Sequence, residues 1–217
     1  MISHFDSDHS EKAVEIIETL KVKNIIISKQ AEISEQFENT IKAAKDNNVN
    51  IIIVKAGDII KIDKETYFQV LWPKEEQKIT ENALNNNSIV AKFIYKDFSM
   101  LFTGDIEKTA EKAILEEYRD SNILKATALK IAHHGSNTST TEEFLKEVEP
   151  QISVIGVGKN NKFGHPSKNI VERLKSYGSM VYRTDLHGEI TIKVTKKGKI
   201  KTNYHIRKNM YRIVEFG

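Results

Sequence analysis

Cysteine is absent from the 217 residues, which excludes disulfides, thiolate metal sites and cysteine nucleophiles. Proline occurs only three times, so no proline-rich linker divides the chain. Long apolar runs are missing too. Ile25-Ile26-Ile27 and Ile51-Ile52-Ile53-Val54 are strand-sized and far short of the ~20 residues a membrane-spanning helix needs. The start, Met-Ile-Ser-His-Phe-Asp, has neither the basic nor the apolar region of a secretory signal, so cytoplasmic location is the default expectation. No Walker loop, dinucleotide fingerprint or G-x-S-x-G elbow occurs.

Charge is nearly balanced, 33 basic against 30 acidic residues, but unevenly spread. Residues 190–217 hold eight Lys/Arg and one acid, while residues 1–189 hold 25 basic and 29 acidic. A basic terminal hairpin around Lys196-Lys197-Gly198-Lys199, with Tyr204 and Tyr211 nearby, can attract a phosphate backbone or simply face water.

Helical and strand patterns alternate from end to end, which predicts one α/β domain over 1–217. Ser10 is expected to cap a helix whose buried face is Ala13, Ile16, Ile17 and Leu20, at i, i+3, i+4, i+7 spacing. Strands are predicted at Asn24–Ser28 and Asn50–Val54, around a helix from Glu32 to Lys45. Further strands are expected at 59–62, 67–71, 88–95 and 98–103. From Gly104 onward helices and strands alternate, and the strands end in polar clusters, where layered α/β folds assemble their sites.

Four clusters carry chemistry. Ser3-His4-Phe5-Asp6-Ser7-Asp8-His9 brings two imidazoles and two carboxylates together at a helix entrance, a ligand set suited to zinc or manganese. Thr103-Gly104-Asp105 puts an acid with two ligating oxygens behind Met100-Leu101-Phe102, although T-G-D is also a common turn. His133-His134-Gly135-Ser136 offers two strand-end imidazoles for ligation or acid/base work. His165 lies in Phe163-Gly164-His165-Pro166-Ser167. A serine hydrolase built on Ser136 is disfavoured, because adjacent His and Ser side chains diverge on an extended segment.

These motifs, with Asn86-Asn87-Ser88-Ile89-Val90, Gly158-Lys159-Asn160-Asn161 and Tyr182-Arg183-Thr184-Asp185, resemble the metallo-β-lactamase-fold hydrolase domain of ComEC-type DNA-uptake proteins. The resemblance covers nearly the whole chain. It implies an αββα sandwich with one or two divalent ions, zinc or manganese. By the same resemblance His4, Asp6, Asp8, His9, Asp105, His133 and His134 form the metal set. Asp8, His134 and His165 are the expected catalytic residues, and Ser136, Asn161, Lys196 and Lys197 contact substrate. Which late histidine binds metal and which gives a proton stays open.

The activity implied is a DNA phosphodiesterase in which divalent ions activate water and a late histidine protonates the leaving oxygen. The alternatives are hydrolysis of another phosphoester and a non-catalytic remnant. A membrane DNA-uptake channel is an implied partner, with no transmembrane segment in this chain. Two departures from the family pattern stand out. Asp8-His9 continues Ser10-Glu11-Lys12 instead of S-G-G, and only Met1–Ser3 precede the metal motif, where the fold normally has several strands. The expectation is an N-terminally truncated first sheet with exposed apolar faces; either the start is wrongly assigned, or the chain is a truncated relative, or another chain completes the sheet.

Overall fold

The computed structural model describes residues 1–119, 121–206 and 210–215, with Ile206 and residues 210–215 described by backbone alone. Arg207 and Lys208, part of the basic C-terminal region, lie outside the described residues. The strands are β1 (Asn24–Ser28), β2 (Asn50–Val54), β3 (Ile59–Lys61), β4 (Thr66–Trp72), β5 (Val90–Tyr95), β6 (Phe98–Phe102), β7 (Ala128–Lys130), β8 (Ile152–Ile155), β9 (Met180–Arg183), β10 (Glu189–Val194), β11 (Ile200–Ile206) and β12 (Met210–Glu215). The helices are α1 (Ser7–Ser10), α2 (Ala13–Thr19), α3 (Glu35–Asp46), α4 (Ala83–Asn86), α5 (Lys108–Tyr118), α6 (Glu142–Val148), α7 (Lys168–Ser176) and α8 (Thr184–His187).

A seven-stranded sheet in the order β3-β4-β5-β6-β7-β8-β9 forms the centre, antiparallel from β3 to β6 and parallel from β6 to β9. Alternation of side chains along each strand decides what covers its two faces. Leu71, Val90, Leu101 and Leu129 point to one face and pack against Ile114, Leu115, Phe144, Leu145, Ile170 and Leu174 of α5, α6 and α7. On the opposite face, Val70 and Ala91 meet Ile26 and Val54 of the parallel pair β1-β2. Beside them Phe98, Ala128, Ile152 and Tyr182 meet Ile190, Ile192, Val194 and Ile200 of the sheet β10-β11-β12. Ile25 of β1 packs outward with Ile17 of α2 and with Ala43 and Ala44 of α3. The layers are therefore helix, sheet, sheet, helix, as expected for an αββα sandwich.

Ser34 caps α3, its Oγ accepting from the Phe37 N–H at 3.2 Å, so the helix begins three residues after the expected Glu32. The first predicted helix needs correction. It is found as α2, but Ser10 does not cap it: Ser10 ends the short preceding helix α1, donating its hydroxyl to the Asp6 carbonyl at 2.8 Å, and α2 starts after Lys12. Of the predicted buried face only Ile17 is buried, whereas Ile16 and Leu20 stand 47% and 62% exposed. The cause is the narrow surface beneath: among the described residues β1 has β2 on one side and only the Ile2 N–H, donated to the Ile26 carbonyl, on the other. Ile52 and Ile53 of β2 are likewise exposed, matching the expected apolar exposure on this side.

No helix among the described residues is long and apolar enough to cross a membrane.

Candidate metal centre

The carboxyl ends of β6, β7 and β8 release three loops toward the N-terminal segment Ser3–His9. Behind β6, Gly104 adopts φ 53°, and a Cβ there would stand 2.6 Å from Ser88 Cβ, so glycine alone lets the loop pass. The Ser88 hydroxyl accepts the Asp105 N–H at 3.2 Å and fixes that carboxylate's direction. Behind β7 the tight turn Ala132–Gly135 holds His133 (φ 48°) and His134 (φ 53°) in the left-handed region, a strained arrangement for two successive side chains. Gly135, at φ 81°, closes against Pro166 so tightly that a Cβ would lie 2.6 Å from Pro166 Cβ. Glu111 of α5 anchors the far end of the loop. Its buried carboxylate accepts the backbone N–H groups of Thr140 and Thr141, while Arg173 donates to the Thr140 carbonyl at 2.8 Å.

Four side chains converge in the space so framed: Asp8, His9, Asp105 and His134 each offer one donor atom, all within 4.8 Å of one another. His134 Nε2 lies 2.8 Å from Asp8 Oδ2 and 3.1 Å from Asp105 Oδ2. His9 Nε2 is 3.3 Å from Asp105 Oδ1, 3.6 Å from Asp8 Oδ2 and 3.3 Å from His134 Nε2. The cluster opens into a cleft of about 510 Å³, also lined by Asp6, His133 and His165.

Burial alone pushes the Asp105 carboxyl upward, but hydrogen bonds from His134 and His9 and their charges outweigh it and hold the group far below the usual carboxylate range. The His134 imidazole is raised by its hydrogen bond to Asp105, against the opposing effect of burial. Asp6 is lowered by a hydrogen bond from His4, again against burial. His165 is lowered by burial and by the neighbouring His133 and His134.

Residues 1–159 match the family model of the metallo-beta-lactamase superfamily. The chain belongs to the metallo-β-lactamase superfamily. Among curated relatives it is 33% identical over 202 residues to ComE operon protein 3 of Bacillus subtilis (strain 168), covering 93% of this chain and 25% of that protein. It is 30% identical over 131 residues to competence protein ComA of Neisseria gonorrhoeae, 60% of this chain and 18% of that one. Recombination protein 2 of Haemophilus influenzae is 27% identical over 192 residues, covering 88% and 22% respectively. The chain thus spans about a quarter of the length of the curated relatives it matches.

A metallo-β-lactamase fold implies divalent metal binding, and the residues present fit such an ion. Bonds of about 2.0–2.1 Å to a tetrahedral ion place neighbouring ligand atoms about 3.3 Å apart, close to the His134–Asp8, His134–Asp105, His9–Asp105 and His9–His134 separations, and the whole set lies within 4.8 Å. The His134 Nδ1–H donates to the Gly156 carbonyl at 2.6 Å, which leaves the Nε2 lone pair for ligation. Asp105 Oδ1 and His4 Nε2 are buried, and their nearest polar neighbours, His9 Nε2 at 3.3 Å and Asp6 Oδ2 at 3.6 Å, satisfy them poorly. Buried polar atoms so weakly paired are costly unless a cation satisfies them.

His4 and Asp6, expected ligands, stand beside the four donors and outside their tight grouping. His4 Nε2 is 3.6 Å from Asp6 Oδ2, and its ring is 4.2 Å from that of His9. His133, also an expected ligand, directs Nδ1 to Glu107 Oε1 at 3.3 Å and to Thr138 Oγ1 at 3.3 Å. His165 lines the cleft with its ring 5.7 Å from His133.

The expected substrate contacts are dispersed. Ser136 Oγ turns into its own loop toward Thr138. Asn161 lines the cleft, but its amide bonds Gly158 and His165 backbone. Lys196 and Lys197 sit on the exposed β10–β11 turn and do not line the cleft.

Sequence reasoning missed two supports. Ser3 Oγ lies 3.1 Å from His4 Nδ1 and 3.3 Å from His9 Nδ1 and orients both rings. Glu107 gathers His133, Thr138 and Asn82. An acid two residues beyond Asp105 was the only signal for it. Asn86 and Asn87 are structural: Asn86 Oδ1 accepts the Glu107 N–H at 2.8 Å, and Asn87 ties down Ile79 and Ala83.

Proposed function

We propose that this metal-dependent hydrolase is a phosphodiesterase acting on DNA. The observation that carries the reading is the open cleft lined by Asp8, Asp105 and His134 of the four-donor cluster, with a further histidine, His165, on its wall. Support for DNA comes from the relatives, whose names speak of competence and recombination.

When bound, one or two divalent ions, zinc or manganese by the nitrogen and oxygen donor set, supply a Lewis acid at the phosphoryl group. His4 and Asp6 would join Asp105 in holding a second ion. The chain's own groups do the rest. The free carboxylate oxygen of Asp8, on the exposed side of the cluster, accepts a hydrogen bond from an attacking water and aligns it in line with the leaving oxygen. His165 delivers a proton to that oxygen, and the adjacent phosphate anion favours its charged form against burial. Glu107 holds the His133 ring on which His165 packs. A membrane DNA-uptake channel is the proposed setting of the activity.

The test is a panel of substrates given to the purified chain with added manganese or zinc: a DNA oligonucleotide, a phosphomonoester, a lactone and a β-lactam. Metal-dependent cleavage of the oligonucleotide, lost in Asp8→Ala, is expected. Turnover of another ester with DNA untouched would overturn the reading.

A further inference from the structure

Phe163 is the most exposed large apolar side chain among the described residues, at 83%. Single exposed apolar side chains are common and mean nothing by themselves. Phe163 differs in three respects. Its ring lines the same cleft as the metal donors. The imidazole of His165 lies beside it, nearly parallel, at 6.0 Å between centroids and 20° between planes. The loop that carries it is braced from within: Asn161 Nδ2 donates to the Gly158 and His165 carbonyls at 3.1 and 2.7 Å, and Asn161 Oδ1 accepts the His165 N–H at 2.9 Å. The ring is thus held out over the cleft by a loop ordered before any ligand arrives, which reduces the entropy lost on binding.

We infer that Phe163 and His165 form a stacking subsite for an unpaired nucleobase at the rim of the metal cleft. The inference rests on the phosphodiesterase reading above and narrows its substrate. The rings of His134, His133, His165 and Phe163 follow one another outward from the metal donors in steps of 6.5, 5.7 and 6.0 Å. A strand whose phosphate lies at the donors therefore passes a flat apolar face on its way out. Exposed Lys159 and Lys162 flank Phe163 on the same loop and add charge for a phosphate backbone. Aromatic faces interleaved with cations are how sequence-tolerant single-strand sites are built. A base inside a duplex has both faces occupied, so the subsite selects single strands or frayed ends.

The chain's one tryptophan, Trp72, is fully buried and donates its indole N–H to the Asn86 carbonyl, so Phe163→Trp adds a distinct exposed reporter. Its emission is followed with manganese present while adding a thymidine oligonucleotide with a cleavage-resistant phosphorothioate backbone, or an abasic oligonucleotide of equal length and backbone. The thymidine strand is expected to quench it and the abasic strand to leave it unchanged. In Phe163→Ala the ratio of thymidine to abasic affinity falls about tenfold, toward the low end of what losing one base–aromatic stack does. Equal response to both strands, no response to either, or an unchanged ratio in Phe163→Ala overturns the subsite. DNA cleavage with an unchanged ratio would remove the subsite and leave the phosphodiesterase standing. Base-selective quenching without cleavage would keep the subsite and remove the phosphodiesterase.

Discussion

Replacing Glu111 by alanine deletes the acceptor of two backbone N–H groups, that of buried Thr140 and that of half-buried Thr141. The buried donor left unpaired costs about 1–3 kcal/mol, and the Thr141 N–H, within reach of water, adds less. For a chain of this size that lowers the melting temperature by roughly 2–12 °C. Glu111→Gln keeps one acceptor oxygen and is expected to fall between wild type and alanine. Because Glu111 holds the loop that leaves His134, the same variant should also bind a divalent ion more weakly. Urea unfolding followed by circular dichroism, with an ion titration alongside, measures both. A stability loss under about 1 kcal/mol in Glu111→Ala, or normal ion affinity in a clearly destabilised variant, would refute the anchoring argument.

Three further outcomes are expected. The raised His134 imidazole must give up its proton to ligate, so ion affinity, measured by calorimetry as the pH is lowered, should begin to fall while the pH is still above the value of about 6.5 at which a free histidine titrates; a flat profile from pH 8 to 6 would contradict His134 as a ligand. Gly135→Ala forces a left-handed alanine against Pro166, costing about 1–2 kcal/mol in backbone strain before any clash, and denaturant titration should show at least that loss. Replacing Lys196, Lys197, Lys199 and Lys201 by serine should flatten the salt dependence of DNA binding by up to about 0.9 per phosphate contact removed, and an unchanged slope would assign the hairpin to solvent.

Much of this was legible in the sequence for identifiable reasons. Asn24–Ser28 and Asn50–Val54 are found with their expected bounds, because β-branched runs between polar turns have few alternatives. The two carboxylates and two histidines of the metal cluster lay in three motifs at strand or helix ends. What could not be read depends on tertiary geometry. The periodicity of Ala13, Ile16, Ile17 and Leu20 is helical, yet it could not reveal that the sheet beneath is too narrow to bury Ile16 and Leu20. Adjacent His133 and His134 look equivalent in sequence, and only the two left-handed residues of the turn send one ring to the donors and the other to Glu107. Ser3 lies in the first cluster but without ligand chemistry of its own, and Glu107 lies in no motif, so their roles as supports were not legible.

The central claim is that Asp8, His9, Asp105 and His134 jointly hold a divalent ion. Crystals grown with manganese, measured at its absorption edge, test it most directly. The account predicts an anomalous peak with all four donor atoms at roughly 2.0–2.2 Å, absent from Asp105→Ala crystals. Ordered side chains with no peak between them, or a peak that persists in Asp105→Ala, would contradict it.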